Sequence, residues 1–575
     1  MFSWTFFIRG SAKALDLIVA ARHRHRTVVG SRCDALGVHA PRHTPGGPAA
    51  GEFGLEGHRD RLLRRGDYIW GSFVKPERVD GYIVGVNPGD RSDVLGRFPF
   101  CEGSVDDAVD SAARGVVHWR RVSRVDRAKA VRKFRDSLNR FQEKFAVLIA
   151  RETGKPLWEA RQEVVASVRA VDLLLEEGLA LLQPRILNER EARSDFRPRG
   201  VVALLVPYNL PLLIPALQTA AALLAGNTVV MKPSKFTPGV GQGVAEMWDR
   251  CKLPRGVFNL VQGSGSSIGQ RLVTHPRVDA LLFNGGFQTA MAIRRATFDR
   301  PELPAVFQCG GKGAALVLDG CEIDRAVYEV LVGAFLTAGQ RHNSTGRVIL
   351  TDSVFEAFVD KLARQASRVT VGYGFEPHTF FGPLISENFR TRFRRYGRAI
   401  AARGHTTLLP SVNREVAGRR GFYASPSLHV IDWQNGHAFI NDEPPGPTLL
   451  LYRVSSWEEA VALHNKLLYR ISTSLFVDPN QRDLPEIIGR LKTGSLNINR
   501  GTIGASLRLP AAGLGRSGNG IAGGVDLLRF LATPRSTLVE VRPFDATQSV
   551  PGINWDDDDG DPISVDVELE MEPIE

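Results

Sequence analysis

Two glycine-rich stretches of this 575-residue chain hold the side chains that could do chemistry. The imidazole of His342 follows Gly339-Gln-Arg and could accept a proton or bind a metal, but the sequence offers it no second or third metal ligand. Gln308 precedes a Gly-Gly-Lys run, and its amide cannot take a proton from water. Cys309 and Ser344 carry nucleophilic groups, yet a shift of one or two residues re-aims a side chain by a large angle. We therefore expect a buried structural Cys309, a Ser344 without a base, and His342 as a satisfied pocket histidine.

Alternating strands and helices must position these groups. Helical patterns run over residues 126–150 and 156–182, and apolar runs typical of strands buried on both faces follow. These runs are residues 201–206, 226–231, 257–261, 280–283, 314–318 and 347–350. Lys232-Pro-Ser-Lys stands at the carboxyl end of one such run, where open α/β sheets bind their ligands. The alternation predicts an α/β fold with doubly wound, mostly parallel sheets.

The composition is that of a globular protein with a sizeable core. Hydrophobic residues make up 43% and charged residues 23% of the chain, and its length suggests about three or four domains. No run reaches the ~18 apolar residues that a membrane-spanning helix needs, so we expect no membrane partner. The net charge is +11, but no basic-aromatic stripe or nucleic-acid motif concentrates it. We therefore prefer an arginine-rich, solvated surface over a nucleic-acid partner.

Cysteine usage and the two termini bear on the compartment. The five cysteines are odd in number and lack C-x-x-C spacing, which argues against a disulfide framework and a zinc site and favours a cytoplasmic protein. Residues 1–65 are predicted to be a disordered extension, with a weak arginine-rich transit segment or a misjudged start codon as alternatives. The acidic residues 550–575 are predicted to be a disordered, solubilising tail.

Several motifs in a fixed order resemble the aldehyde dehydrogenase superfamily across roughly residues 66–545. They are Pro207-Tyr-Asn-Leu-Pro, Leu224-Ala-Gly-Asn-Thr with Lys232-Pro-Ser, Leu253-Pro-Arg-Gly-Val-Phe-Asn, Gly382-Pro-Leu-Ile, Gly494-Ser-Leu-Asn-Ile-Asn and Gly513-Leu-Gly-Arg-Ser-Gly. Each motif alone is weak, and their order makes the resemblance specific. Thr337-Ala-Gly-Gln-Arg and Arg151-Glu-Thr-Gly-Lys-Pro further resemble the succinylglutamate-semialdehyde dehydrogenase branch, which acts in arginine catabolism.

The resemblance implies an aldehyde dehydrogenase-like α/β fold, with two doubly wound parallel-sheet domains and a β oligomerisation flap. We expect the dinucleotide-binding-type domain in residues 66–185 and 200–308, and the catalytic-type domain in residues 309–532. Residues 186–199 and 533–549 match the oligomerisation segments, whose β arm pairs with a neighbouring subunit and so covers a sheet edge. The chain is therefore expected to form a homo-oligomer, a dimer or a tetramer.

The resemblance also assigns roles to single residues. Asn209 matches the asparagine whose amide stabilises the developing oxyanion, although asparagine between Tyr and Pro is also a good turn former. Lys232 matches the lysine that holds the adenosine ribose of the cofactor, and Glu443 matches the glutamate of the nicotinamide ribose. The further positions matched to the cofactor site are Pro207, Ser234, Lys235, Gly263, Gly285 and Gly286.

Departures from the family pattern fall on the reacting groups. In the family a cysteine thiolate attacks the aldehyde carbon, and the adduct expels hydride to the nicotinamide. His342 stands at that cysteine's position and Gln308 at the position of the general-base glutamate, with the family's spacing between them. Lys235, Gly286 and Pro445 replace a glutamate, a serine and a phenylalanine of the cofactor site. We therefore expect NAD or NADP as the cofactor, with binding weakened or lost.

Three functional hypotheses follow from these residues. We prefer a catalytically impaired family member with a ligand-binding or structural role, because both the nucleophile and the base are replaced. One alternative is an active NAD(P)-dependent semialdehyde dehydrogenase, for which succinylglutamate semialdehyde is a candidate substrate. The other is altered chemistry in the same pocket, such as ester hydrolysis with His342 as the base. In each case the expected ligand is a small-molecule aldehyde or a related compound.

Overall fold

Two largely parallel sheets organise the part of the chain that the computed structural model describes, which is residues 66–188, 192–434, 439–545, 550 and 552. The predicted extension and nearly all of the predicted acidic tail lie outside these residues. The fold class expected from the sequence is confirmed. Among the described helices, none combines the length and the apolar character needed to cross a membrane.

The first half of the described chain contains eleven strands and eight helices. The strands are β1 (Asp67–Ile69), β2 (Ser72–Val74), β3 (Gly81–Val86), β4 (Val94–Phe100), β5 (Arg185–Asn188), β6 (Ala192–Pro198), β7 (Val201–Leu205), β8 (Thr228–Lys232), β9 (Phe258–Leu260), β10 (Ala280–Gly285) and β11 (Ala305–Cys309). The helices are α1 (Ser104–Trp119), α2 (Arg124–Arg140), α3 (Gln142–Thr153), α4 (Leu157–Glu176), α5 (Leu213–Ala225), α6 (Pro238–Arg250), α7 (Gln270–Thr274) and α8 (Phe287–Ala296). The first sheet has the order β11-β10-β7-β8-β9-β1-β2, with β1 and β2 antiparallel to their neighbours.

The second half repeats the arrangement. Its strands are β12 (Gly313–Val317), β13 (Thr345–Thr351), β14 (Thr406–Leu409), β15 (Ser427–Val430), β16 (Thr448–Val454), β17 (Tyr469–Arg470), β18 (Thr473–Phe476), β19 (Leu496–Ile498), β20 (Leu514–Gly515) and β21 (Ala532–Leu538). Its helices are α9 (Ile323–Phe335), α10 (Asp352–Ser367), α11 (Glu387–Ala401), α12 (Trp457–Asn465), α13 (Leu484–Arg490) and α14 (Leu527–Phe530). The second sheet has the order β14-β15-β16-β13-β12-β18-β19, with β14 antiparallel to β15.

Both sheets are covered on their two faces, which explains their continuous apolar runs. In β7, Val202 and Leu204 pack into one core with helices α2 to α6, while Val201 and Ala203 pack into another with α1, α7 and α8. Strand β12 alternates in the same way between two cores of the second sheet. The carboxyl ends of parallel strands are the edge of such a sheet at which ligands usually bind.

A separate three-stranded antiparallel sheet joins the two predicted oligomerisation segments. Strand β6 lies between β5 and β21, and its pairing with β21 runs from Pro198 opposite Ala532 to Ala192 opposite Leu538. Two further pairs, β3 with β4 and β17 with β20, form small antiparallel sheets. The proposed domain limits and the oligomeric state stay predictions.

A buried carboxylate connects α3 to α6. Glu152 has no exposed surface, and its two carboxylate oxygens accept the N–H groups of Gly239 at 2.7 Å and Val240 at 2.9 Å. These N–H groups belong to the first turn of α6, where a helix leaves its N–H groups without internal partners. Burial outweighs these hydrogen bonds and raises the pKa of Glu152 to about 8.

The free energy of unfolding should contain a part that falls as the pH rises from about 4.5 to about 8. Over this window Glu152 holds its proton in the folded chain and has lost it in the unfolded chain, so a rising pH favours unfolding. The expected decrease is on the order of 3–5 kcal/mol. The side chain of Glu152→Gln cannot titrate. We therefore expect the free energy of unfolding of this variant not to show the decrease with pH, and to be lower at every pH by the contribution of one lost hydrogen bond. Urea unfolding of both proteins at pH 5 and pH 8 measures the difference, and parallel pH profiles would contradict the assignment.

Candidate active site

A cavity of about 1050 Å³ lies where the two sheets face each other. It is lined by residues that follow β7, β8, β10 and β11 of the first sheet and by residues that precede β13, β16, β18 and β19 of the second. The predicted site residues in its wall are Pro207, Asn209, Ser234, Gly285, Gly286, Gln308, His342 and Glu443. The other three, Lys232, Lys235 and Gly263, do not line it. The structure therefore brings the predicted reacting groups and most of the predicted cofactor residues into one space.

The loop that carries His342 has an unusual backbone. Thr337 and Ala338 have φ angles of 56° and 53°, in the left-handed region that residues with a side chain rarely adopt. Gly339 follows with φ of 65°, and a Cβ there would lie 2.3 Å from the carbonyl oxygen of Gly446. Three successive left-handed residues are held only when the surroundings determine them, and such strain concentrates at functional sites.

The buried carboxylate of Glu159 holds this loop through hydrogen bonds. Glu159 on α4 has no exposed surface, and its Oε1 accepts a hydrogen bond from Arg341 Nη2 at 2.9 Å. The Thr337 hydroxyl also hydrogen-bonds to Glu159, and Arg341 Nε donates to that hydroxyl at 2.9 Å. Since Arg341 directly precedes His342, this triangle sets where the imidazole enters the cavity.

The imidazole of His342 is held neutral. Burial is the main cause that lowers its pKa to about 4, and the Arg341 cation adds to the effect. At neutral pH the ring therefore has one nitrogen that can accept a proton or a hydrogen bond. Among the described residues, no set of three or more His, Cys, Asp and Glu side chains is grouped so as to hold a metal ion.

Gln308 and Asn209 contribute amides to the same space. Gln308 is the residue before the last residue of β11, and its Nε2 lies 2.6 Å from the point where a Cβ on Gly523 would stand, so the loop that carries Gly523 packs closely against it. Asn209 Nδ2 donates to the carbonyl oxygen of Gln340 at 2.9 Å, two residues before His342. That contact places the predicted oxyanion amide directly against the His342 loop.

The two other nucleophilic side chains lie away from the cavity. Cys309 is buried in the core that the first sheet forms with α1, α7 and α8, and burial raises the pKa of its thiol to about 12. Ser344 is fully buried, and its hydroxyl has no hydrogen-bond partner among the described residues. The expectation of a buried Cys309 is confirmed, and neither side chain lines the cavity with His342.

Glu443 and Lys232, the two residues matched to the riboses of the cofactor, differ in their position relative to the cavity. Glu443 lines the cavity and accepts the N–H of Gly311 at 3.1 Å. Lys232 is buried, and its ammonium donates to the carbonyl oxygens of Pro233 at 2.7 Å and Gly263 at 3.1 Å. Burial and the nearby Lys235 lower the pKa of Lys232 to about 8.

The residues around the start of α8 leave room for a phosphate. Gly286 precedes the first residue of α8, and no atom lies within 4 Å of the position that its Cβ would take. The carboxylate of Glu443 supplies an acceptor for ribose hydroxyls on the other side of the cavity. The donor and acceptor set fits a dinucleotide, although the Lys232 ammonium already serves the protein backbone.

One wall of the cavity is apolar and is formed by side chains of α4, of the segment from Leu210 to Leu217 and of residues 507–509. Its side chains are Val165, Ala166, Leu210, Leu213, Ile214, Leu217, Leu507 and Leu509. Arg161 and Arg169 of α4 line the same part, and each is paired with a carboxylate, Glu143 and Glu176 respectively. This wall fits an aliphatic chain whose far end carries polar or acidic groups.

Two doubly wound sheets that share one dinucleotide-type cavity define the class of protein to which this chain belongs. The aldehyde dehydrogenase family model matches residues 73–536, and the chain belongs to the aldehyde dehydrogenase family. The resemblance inferred from the sequence is thereby confirmed.

Curated relatives and solved structures agree with this assignment. The chain is 32% identical over 458 residues to an N-succinylglutamate 5-semialdehyde dehydrogenase of Burkholderia thailandensis, covering 78% of this chain and 92% of that protein. A protein of the same description from Burkholderia mallei is 33% identical over 441 residues, covering 75% and 88%. The crystal structure of lactaldehyde dehydrogenase from Escherichia coli superimposes with a TM-score of 0.77 at 27% identity, covering 83% of this chain and 100% of that chain.

Sequence patterns did not single out Glu159 or Lys312. Glu159 and Glu163 are four residues apart in α4, and acids at that spacing usually face solvent. Their place on the same helix face as buried Ala160 and Val164 was the available signal. Lys312 directly follows the Gly-Gly pair after Gln308, and only the fold shows that it is buried in the cavity wall.

Proposed function

We propose that this chain is a catalytically impaired member of its family, which binds a small aldehyde or a related carbonyl compound without oxidising it. The observation that carries the proposal is the pairing of His342 and Gln308 in one cavity, at the positions matched to the nucleophile and the base. A neutral imidazole does not give the stable covalent adduct from which hydride is expelled. An amide cannot activate water for release of an acyl group.

The remaining cavity is suited to binding. The apolar wall accommodates an aliphatic chain, and Asn209 lies against the His342 loop, where an amide can donate to a carbonyl oxygen. The two relatives described above are N-succinylglutamate 5-semialdehyde dehydrogenases, which supports an acidic semialdehyde as the ligand of this chain. Arg161 and Arg169 line the same wall, and each would exchange its present carboxylate partner, Glu143 or Glu176, for the acidic group of such a ligand.

Two other functions compete with this proposal. An active NAD(P)-dependent semialdehyde dehydrogenase is supported by the family and by the two relatives. Hydrolysis of an ester with His342 as the base is the other: the imidazole is neutral and has a free lone pair, but a pKa lowered to about 4 makes it a weak base and leaves this function the less favoured of the two.

One set of assays separates the three functions. Purified chain is incubated with NAD or NADP and a panel of semialdehydes, and reduced cofactor is followed by absorbance; an ester substrate is tested in parallel. We expect no reduced cofactor above the rate of a His342→Ala control, and calorimetric binding of at least one semialdehyde. Turnover that His342→Ala abolishes would overturn the proposal. Ester hydrolysis lost in the same variant would favour the hydrolytic function.

The cofactor is proposed to be NAD or NADP, bound more weakly than the family's pattern would allow. Lys235 is exposed beside the Lys232 ammonium, so it removes an acceptor for ribose hydroxyls and adds a cation. Pro445 and Gly286 line the cavity where the family pattern has a phenylalanine and a serine, which supports altered contacts with the cofactor.

Lys235→Glu is expected to bind NAD about tenfold more tightly than the unmodified chain, because a carboxylate can accept hydrogen bonds from the ribose hydroxyls. The same change should weaken any binding of NADP, since a carboxylate repels a 2′-phosphate. Calorimetric titration of both proteins with both dinucleotides measures the two effects. Lys235→Gln serves as the control for loss of the cation alone. Equal NAD affinity in all three proteins would show that position 235 does not contact the ribose.

We further propose a homo-oligomer in the cytoplasm. The three-stranded β arm exposes large apolar side chains, among them Ile186, Leu187 and Leu538. Sedimentation velocity is expected to give a dimer or a larger assembly, because an arm with exposed apolar side chains and free edges is stabilised by a partner. Leu538→Asp should shift the distribution towards the monomer. A monomer at all concentrations of the unmodified chain would contradict this proposal.

A further inference from the structure

Lys312 lines the cavity and carries a primary amine. The resemblance to the family assigned no role to this residue. It is 3% exposed, and its Nζ donates to the carbonyl oxygen of Gly446 at 2.5 Å. Both residues line the cavity, together with His342 and Glu443. Among the described residues this ammonium forms no ion pair with a carboxylate, and the nearby Glu443 compensates its charge only in part.

The backbone at Lys312 is fixed in a strained conformation. Its φ angle is 58°, and the preceding Gly311 has φ of 114°, so two successive residues leave the usual regions. The Lys312 N–H donates to the carbonyl oxygen of His342 at 3.3 Å, which fastens this segment to the His342 loop. A lysine is an unfavourable residue at a left-handed position, and backbone strain of this kind concentrates at functional sites.

The Lys312 amine is partly neutral at neutral pH. Burial lowers the pKa of Lys312 to about 7; the carboxylate of Glu443 opposes this shift and the Arg347 cation adds to it. A large fraction of the amine is therefore neutral at neutral pH, whereas a solvent-exposed lysine is almost fully protonated. A neutral amine desolvated in a pocket is the form that reacts with carbonyl compounds.

We propose that Lys312 captures the aldehyde of a bound ligand as an imine, so that this cavity retains aldehydes covalently and reversibly where the family oxidises them. The Nζ lone pair forms a C–N bond to the carbonyl carbon, and the oxygen takes the amine proton to give a carbinolamine. The carbinolamine then loses its hydroxyl with a second proton as water, leaving a C=N bond. Nothing is oxidised or reduced, and water reverses the step. The inference rests on the proposed function only in taking an aldehyde as the ligand.

Reductive trapping tests this site without any dinucleotide. The unmodified full-length chain is incubated at pH 7 with 4-oxobutanoate and sodium cyanoborohydride, and the modified peptides are mapped by mass spectrometry over time. We expect the peptide with Lys312 to be labelled at least tenfold faster than the peptide with exposed Lys129. Lys312→Met should lose this fast label while Lys129 is labelled as before. Slow labelling of Lys312, at or below the rate of Lys129, would overturn the inference.

The mapping distinguishes this inference from the proposed function. If reduced cofactor forms in the activity assay while Lys312 is labelled quickly, the proposed function fails and the imine site stands. If 4-oxobutanoate binds by calorimetry but Lys312 stays unlabelled, the imine site fails and the binding function stands. Because the comparison of two lysines is made within the unmodified chain, it holds even if Lys312→Met does not fold.

Discussion

The double variant His342→Cys, Gln308→Glu is expected to oxidise aldehydes at least about 1,000-fold faster than the unmodified chain. The cysteine restores the thiolate that forms a covalent adduct, and the glutamate restores a base for water. Both positions line the same cavity, and Asn209 already lies against the loop that would carry the thiol. The measurement is steady-state formation of reduced cofactor with NAD and NADP at saturating concentration.

Single variants should show that the two positions act as one unit. His342→Cys alone is expected to give at most a short burst of reduced cofactor, because the acyl adduct then hydrolyses slowly without a base. Gln308→Glu alone should give no turnover, since it has no nucleophile to regenerate. His342→Ser with Gln308→Glu is the matched control for side-chain size. The proposal fails if the unmodified chain already turns over at the rate of the double variant.

Removal of the Glu163 carboxylate is expected to lower the free energy of unfolding by about 3–5 kcal/mol. Glu163 and Lys155 form an ion pair of 2.5 Å, with 0% and 1% of their side chains exposed. The other oxygen of Glu163 accepts the N–H groups of Leu212 at 2.9 Å and Leu213 at 3.3 Å, at the start of α5. Glu163→Ala therefore leaves a buried ammonium and two backbone donors without partners.

A small set of variants separates these contributions. Glu163→Gln keeps an amide oxygen for the α5 donors but loses the charge and the second acceptor oxygen that Lys155 uses, so its loss should be smaller than that of Glu163→Ala by the two retained backbone hydrogen bonds. Lys155→Met combined with Glu163→Gln removes both charges and should recover part of the loss. Glu143→Ala breaks the pair with Arg161, whose side chains are 59% and 53% exposed, and should cost about 1 kcal/mol or less. Urea midpoints measure all four, and equal losses for Glu163→Ala and Glu143→Ala would contradict the assignment.

The α/β class and the positions of the buried strands followed from the sequence because they depend on patterns that neighbouring residues carry. The apolar runs at 201–206 and 314–318 correspond to β7 and β12, and both strands are buried on two faces. The limits of the helices were predicted less well from the sequence. The helical pattern over residues 126–150 is divided at Phe141, whose ψ angle of 24° ends α2 before α3 begins. Nothing in the local sequence marks this break, because neither glycine nor proline stands there.

The site was predictable where a motif defines it and not where tertiary contacts do. Spacing placed His342 and Gln308, and the structure brings both to one cavity. The left-handed residues Thr337 and Ala338 could not be foreseen, since neither residue type prefers that conformation. Their support comes from Glu159, which is far away in sequence.

The carbonyl group of Gly446 contacts both the Lys312 side chain and the loop that carries His342. The oxygen of Gly446 accepts the Lys312 ammonium, and it lies so close to Gly339 that the His342 loop tolerates no side chain there. Gly446 is also three residues from Glu443, on the segment matched to the nicotinamide ribose. A dinucleotide that shifted this segment would change the environment of a carbonyl ligand, and any such coupling would change the dinucleotide affinity by the same factor when the carbonyl ligand binds. Under the proposed function, such heterotropic coupling would make the occupancy of the cavity depend on the concentrations of both the aldehyde and the dinucleotide.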